Sequence, residues 1–186
     1  MLNKETRDQI VALIKREVVP AIGCTEPIAV ALCVAKATET LGTMPESIDV
    51  LLSGNMLKNA MGVGIPGTGM SGLPIAIALG AIVGKSEYQL EVLKDSTPEH
   101  VEKGKAYIAE KRINISLKEN ITEKLYIEVT VKAGDNTASA IIAGGHTHFI
   151  SITHNGEVLL SSKQKNGTQM ENKDIELSLR MVYEFA

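Results

Sequence analysis

The stretch VVPAIGCTEPIAVAL places Cys24 between Gly23 and Thr25-Glu26-Pro27, at what reads as the start of a helix. Unpaired backbone N–H groups and the positive end of the helix dipole favour an anion there, so a sulfur at this point is suited to be a thiolate, a nucleophile or metal ligand. Gly23, Thr25 and Glu26 make a poor apolar pocket, which argues against a merely packed thiol. Cys33, the only other cysteine, lies nine residues on and about half a turn out of phase at 100° per residue. It faces away, reads as core, and shares neither a disulfide nor a metal with Cys24. One thiolate cannot hold zinc or an iron–sulfur cluster, which take three or four protein ligands. Histidines or a missing segment would have to supply the others.

Two further stretches carry polar groups among glycines. In SGNMLKNAMGVGIPGTGMSG, Gly62, Gly64 and Gly67 formally match G-x-G-x-x-G, but helix precedes them, Pro66 interrupts, and no acid-ending strand follows. A dinucleotide loop is rejected, as is a P-loop, which needs Gly-Lys-Ser/Thr. The loop with Thr68 and Ser71 can instead present backbone N–H groups to a carboxylate, with Ser53, Asn55 and Lys58 as companions. A plain turn between two helices competes with that reading. In GGHTHF, His146 and His148 sit two apart, on one face of an expected strand. Two histidines do not complete a metal site, and the paired glycines suggest a bulge or close backbone approach beside a cleft. His154 reads as a turn residue, and the Lys/Glu run from Glu99 to Arg112 as a solvated helix face.

The elements that must position these groups follow from period and punctuation. Ile10, Leu13, Ile14 and Val18 repeat at helical spacing until Pro20. A second helix has Thr25 as the expected N-cap, Pro27 in its first turn and Gly42 past its end. It is apolar nearly all round for three turns, so it must be enclosed, and the first 42 residues cannot enclose it. SIDVLLS (47–53) reads as a buried strand entering a glycine-rich turn and the short helix NMLKNAM. Ser71 and Pro74 open a helix to about Val83, and Thr97-Pro98 another to about Lys111. From there the period is two, in RINISLK, KLYIEVTVKA, TASAIIA, HTHFISIT and EVLLSS, with turns at Gly134-Asp135-Asn136 and Asn155-Gly156. The expected fold is α+β: two N-terminal helices, then a mostly antiparallel sheet with helices on one face. The last 15 residues stop inside a helical pattern without a capping glycine, as a chain continued elsewhere would.

Composition narrows the function. The chain has 186 residues, 44% of them apolar, a formal charge of −3 and 3% aromatics with no Trp. Neither nucleic acid nor an anionic membrane is implied as a partner, and base stacking lacks its aromatics. The longest apolar run, Gly72 to Gly84, is too short to span a bilayer. The charged N-terminus is not a signal peptide, so the reducing cytoplasm is the expected compartment.

Taken together, VVPAIGCTEPIAVAL, SGNMLKNAMGVGIPGTGMSGLPIAIALG and IIAGGHTHF resemble the bacterial and archaeal L-cysteine desulfidase family, related to iron–sulfur L-serine dehydratases. The resemblance covers essentially the whole chain. It implies a lyase more than twice this length, carrying a 4Fe–4S cluster with Cys24 as one ligand. The other cysteine ligands would lie in a C-terminal helical region absent here. The implied chemistry is α,β-elimination from L-cysteine or L-serine without pyridoxal phosphate, an open iron serving as Lewis acid, giving pyruvate, ammonia and sulfide or water. Ser53, Gly54, Asn55, Lys58, Gly67, Thr68, Gly69, His146 and Thr147 match positions that would line the substrate site. Lys58 and His146 are candidates for the base. The relation to serine dehydratases implies that 43–165 is their small α/β domain. The helical pair 1–42 would then pack with the missing region, and 170–186 would begin a truncated helical domain. The fragment alone would be inactive, and subunit association is open, a homodimer included. The competing reading is a non-catalytic amino-acid-binding or assembly module.

Overall fold

The computed structural model describes residues 2–162 and 175–185. The chain divides into two compact units, Ala21–Lys163 and the pair of terminal segments Met1–Pro20 and Gln164–Ala186. In the terminal unit, α1 (Lys4–Glu17) is capped by Asn3, whose Oδ1 accepts from the Thr6 amide at 2.8 Å. The short α6 (Leu179–Phe185) brings the Phe185 ring under the Arg7 guanidinium, 5.2 Å from the ring centroid.

The larger unit is a helical layer on one face of a sheet, as the period switch implies. Its elements are α2 (Thr25–Leu41), β1 (Ser47–Leu52), α3 (Gly54–Ala60), a hairpin of β2 (Gly64–Ile65) and β3 (Met70–Ser71), α4 (Leu73–Ile82), a 3₁₀ segment (Ser86–Glu91), α5 (Pro98–Ala109), and strands β4 (Ile113–Leu117), β5 (Tyr126–Ala133), β6 (Asn136–Ala143), β7 (Phe149–His154) and β8 (Glu157–Ser161). The six-stranded sheet runs β4-β1-β5-β6-β7-β8, and only β1 and β4 are parallel. Ile48, Val50, Leu52, Ile127, Val129, Val131, Ala138, Ala140 and Ile142 alternate inward and are buried.

The packing of α2 corrects one expectation. Residues 27–35 of α2 are all buried, enclosed by β5, β6, α4 and the 3₁₀ segment. No region outside this chain is needed to cover the helix, and the boundary expected after residue 42 falls instead near residue 20, so that α2 belongs with the sheet. The physical reason is that α2 is the central rib of the helical layer, flanked by helix on one side and sheet below. An all-round apolar helix is what that position requires.

A second correction concerns GGHTHF. The strand begins at Phe149, and residues 144–148 form the turn between β6 and β7, with Gly144 at φ +74°. His146 and His148 therefore do not share a strand face. The alternation continues past the ladder because a left-handed glycine has already turned the chain. His154, expected in a turn, is the last residue of β7 and pairs with Glu157.

Candidate functional site

α2 is connected to β1 by a short link, and the Glu46 amide donates to the Lys132 carbonyl at the far end of β5. The N-terminus of α2 therefore lies at the end of the layer where β1 finishes. At that same end the Ser53 amide donates to the Tyr126 carbonyl and the Gly144 amide to the Leu125 carbonyl. The start of α3 and the β6–β7 turn are thus both tied to the start of β5, at the same end of the layer as the start of α2.

Cys24 is exposed and is itself the N-cap of α2, with φ −67° and ψ 137°, and its side chain makes no capping hydrogen bond. Thr25, the expected cap, is the first helical residue, and its hydroxyl donates instead to the Glu26 carboxylate at 3.3 Å. The helix start thus carries an exposed sulfur that does not cap it. Cys33 is the opposite case. It is buried, its thiol donates to the Ala140 carbonyl at 3.3 Å, and burial pushes its pKa far up.

The glycine-rich stretch is the β2–β3 hairpin, where a plain turn between two helices was the competing expectation, with Gly67 at φ +76° and Gly69 at φ +64°. Thr68 is buried in its tip. Its hydroxyl donates to the Ile65 carbonyl at 2.7 Å and accepts from the Met70 amide at 3.0 Å, so it closes the turn. This hairpin lies against the Cys24 segment: a Cβ on Gly23 would stand 2.9 Å from Pro66 Cγ. The Ile22 amide is held by the Leu90 carbonyl at 3.0 Å. From α3, Asn59 donates to Glu26 Oε1 at 3.3 Å, while Lys58 one residue earlier is exposed.

The polar residues expected to line one site are placed in two groups along α3. Near its C-terminal end are Cys24, Glu26, Lys58 and Asn59, with the hairpin bearing Gly67 and Gly69 against the Cys24 segment. At its N-terminal end, Gly54 and Asn55 border an open groove facing residues 117–124. Ser53 belongs to the frame of that groove, since its hydroxyl donates to the Lys124 carbonyl at 2.8 Å and accepts from the Met56 amide. His146 and Thr147 occupy the half-buried β6–β7 turn, where His148 Nδ1 lies 3.0 Å from the Ala143 carbonyl. Glu26 and Asn59 escaped the sequence reading, although Glu26 stands inside the motif that carries Cys24.

Among the described residues no three His, Cys, Asp or Glu side chains gather into a metal-binding group. A lone exposed cysteine is fewer than the three or four protein ligands that an iron–sulfur cluster takes.

No family model matches the chain. Over its whole length, however, it is 69% identical to a protein of Bacteroides fragilis, 47% to one of Porphyromonas gingivalis and 43% to one of Chromobacterium violaceum. These relatives are all UPF0597 proteins. That name describes an uncharacterised family and assigns no activity. The chain spans 43–44% of the length of these relatives. No helix among the described residues is long and apolar enough to cross a membrane.

Proposed function

We propose that this chain is the N-terminal portion of an iron–sulfur-dependent lyase that converts L-cysteine or L-serine to pyruvate, ammonia and sulfide or water in the cytoplasm. The observation that carries this reading is the seating of Cys24, an exposed thiol at an uncapped helix start, pressed by Gly23 against the glycine-rich hairpin. In this reading Cys24 supplies one ligand of a 4Fe–4S cluster, and the remaining length of the longer protein supplies the others. The relatives, more than twice as long as the chain, are compatible with that arrangement. Backbone amides of the hairpin around Gly67 and Gly69 would hold the substrate carboxylate, and Lys58 or His146 would take the α-proton. Ser53 and Thr68 act through the backbone they brace, because their hydroxyls are already engaged.

The test uses the full-length protein, purified without oxygen and assayed for iron, acid-labile sulfide and sulfide release from L-cysteine. The parent and a Cys33→Ala control are expected to carry the cluster, and Cys24→Ser to lose most of its iron together with activity. A Cys24→Ser protein with its full iron content and activity would remove Cys24 from the site.

A further inference from the structure

The six-stranded sheet has two edges, β4 and β8, and they differ. β4 is bracketed by the Arg112–Glu110 and Lys118–Glu128 ion pairs, charged groups of the kind that keep an edge in water. β8 carries no Lys, Arg or Pro, and every residue from Glu157 to Ser161 is exposed. Val158 and Leu159 keep 58% and 57% of their surface open, and Leu160 keeps 37%. Burying three adjacent apolar side chains beside a further strand is favourable, and an open strand edge supplies the backbone groups for it.

The backbone register decides which strand fits. The Ser162 amide donates to the Ile150 carbonyl, whereas the Asn155 amide turns the other way, to the Thr137 carbonyl of β6. Backbone groups alternate along an antiparallel ladder, so Ile150, Ile152 and His154 face β8 while Ser151 and Thr153 face β6. Ser151 pairs with Ser161 and Thr153 with Val158. The N–H and C=O groups of Val158 and Ser161 therefore point away from β7, toward the open side. A regular strand offers such groups at every second residue. Here Leu160 pairs with Ile152 and Val158 with Thr153, so Leu159 is an extra residue and the outward groups stand three residues apart.

A bulge of this kind blunts an edge because a regular strand cannot follow its spacing. A second β8 laid antiparallel presents the same spacing in reverse. Val158 of each copy then meets Ser161 of the other, and Leu159 meets Leu160. Glu157, the only charge in the strand, stands opposite Ser162 and not opposite its own counterpart. We propose that β8 is a dimerisation edge, pairing antiparallel with β8 of a second copy of this chain about a twofold axis between Leu159 and Leu160. The two sheets then run on as one. One short strand from each copy is less than a permanent dimer uses, so concentration governs the association. The contact involves neither Cys24 nor the glycine-rich hairpin, and it stands whether or not the chemistry proposed above does.

Sedimentation velocity of the 186-residue chain across the micromolar range tests the assignment, together with amide hydrogen exchange. A monomer–dimer equilibrium is expected, with the Val158 and Ser161 amides exchanging at least tenfold more slowly in the dimer. Leu159→Lys places a cation beside the axis and should weaken association at least tenfold. Val158→Pro removes an outward N–H and should do the same. Leu179→Lys, on the exposed face of α6, should associate as the parent does, and all three variants should keep the parent's far-ultraviolet circular dichroism. The proposal fails if the chain is still monomeric at about 1 mM, or if Leu159→Lys dimerises like the parent. It also fails if Leu179→Lys abolishes the association. A full-length protein that stays monomeric where the 186-residue chain dimerises would overturn it too, since the rest of the polypeptide then covers the edge.

Discussion

Cys24 and Cys33 belong to one helix and differ in everything that decides reactivity, because one stands on the rim of the layer and the other beneath it. That contrast was legible in the sequence, since a glycine and a charged neighbour cannot wall in a sulfur while the Ala/Val run around Cys33 can. The employment of the hydroxyls was not legible. Ser53 and Thr68 stand among glycines as ligand-binding residues do, yet capping a helix or closing a turn asks for the same side chains at the same spacing. Tyr107 gives a test at this scale. It is buried, its hydroxyl donates to the Pro45 carbonyl at 2.8 Å, and burial pushes its pKa up to about 12. A raised acid stabilises the fold fully below its unfolded value near 10, and that contribution drains away as pH rises toward about 12. Tyr107→Phe should cost about 1 kcal/mol at pH 8 through the lost hydrogen bond. The gap to the parent, measured by urea unfolding, should shrink between pH 10 and pH 12. A gap that stays constant over that interval would show the phenol ionising as freely in the folded chain as in the unfolded one.

The helical layer is held together by close backbone approach. A Cβ on Gly80 would stand 2.6 Å from the Ala31 carbonyl oxygen and 3.1 Å from Ala31 Cα, and one on Gly84 would stand 2.8 Å from Ala35 Cβ. Small residues spaced four apart on α2 thus face glycines spaced four apart at the end of α4. Gly80→Ala pushes backbone against backbone and should cost about 1–3 kcal/mol. Gly104→Ala on α5 meets the tip of Ile75 at 3.0 Å and makes ordinary contacts at 3.7 Å with Ala78 and Leu79, while gaining helix propensity worth about 1 kcal/mol, so it should fall within about 1 kcal/mol of the parent. Equal urea midpoints for the two variants would refute the close contact. The existence and order of most elements were readable from periodicity and caps. The 3₁₀ segment was not, since it rests on tertiary bonds: the Glu39 carboxylate accepts from both the Ser86 amide and hydroxyl, and Gln89 adopts φ +52°. Nothing local in SEYQLE announces those partners.

For the whole molecule, the class and the one-sided cover of the sheet were legible, but the insertion of β1 between β4 and β5 was not. Sequence order suggests neighbours, and a crossover of this length does not say which edge it returns to. Among the described residues, Ile10 is the only buried apolar one outside Ala21–Lys163. A chain of residues 21–162 should therefore unfold cooperatively, with a thermal midpoint within about 4 °C of the parent, the shift expected from roughly 1 kcal/mol at this size. Broad, non-cooperative melting of the trimmed chain would contradict the division into units. The burial of α2 also has a consequence during synthesis. The Ala140 carbonyl that receives the Cys33 thiol lies 107 positions downstream, and β5 and β6, the strands that cover the helix, are translated well after it. At ~5–20 residues per second the ribosome exposes a bare, greasy rod for ~5–20 s before its bed exists. Yield in a producing cell is thus set by whatever shields that rod in the interval, more than by the strength of the finished fold.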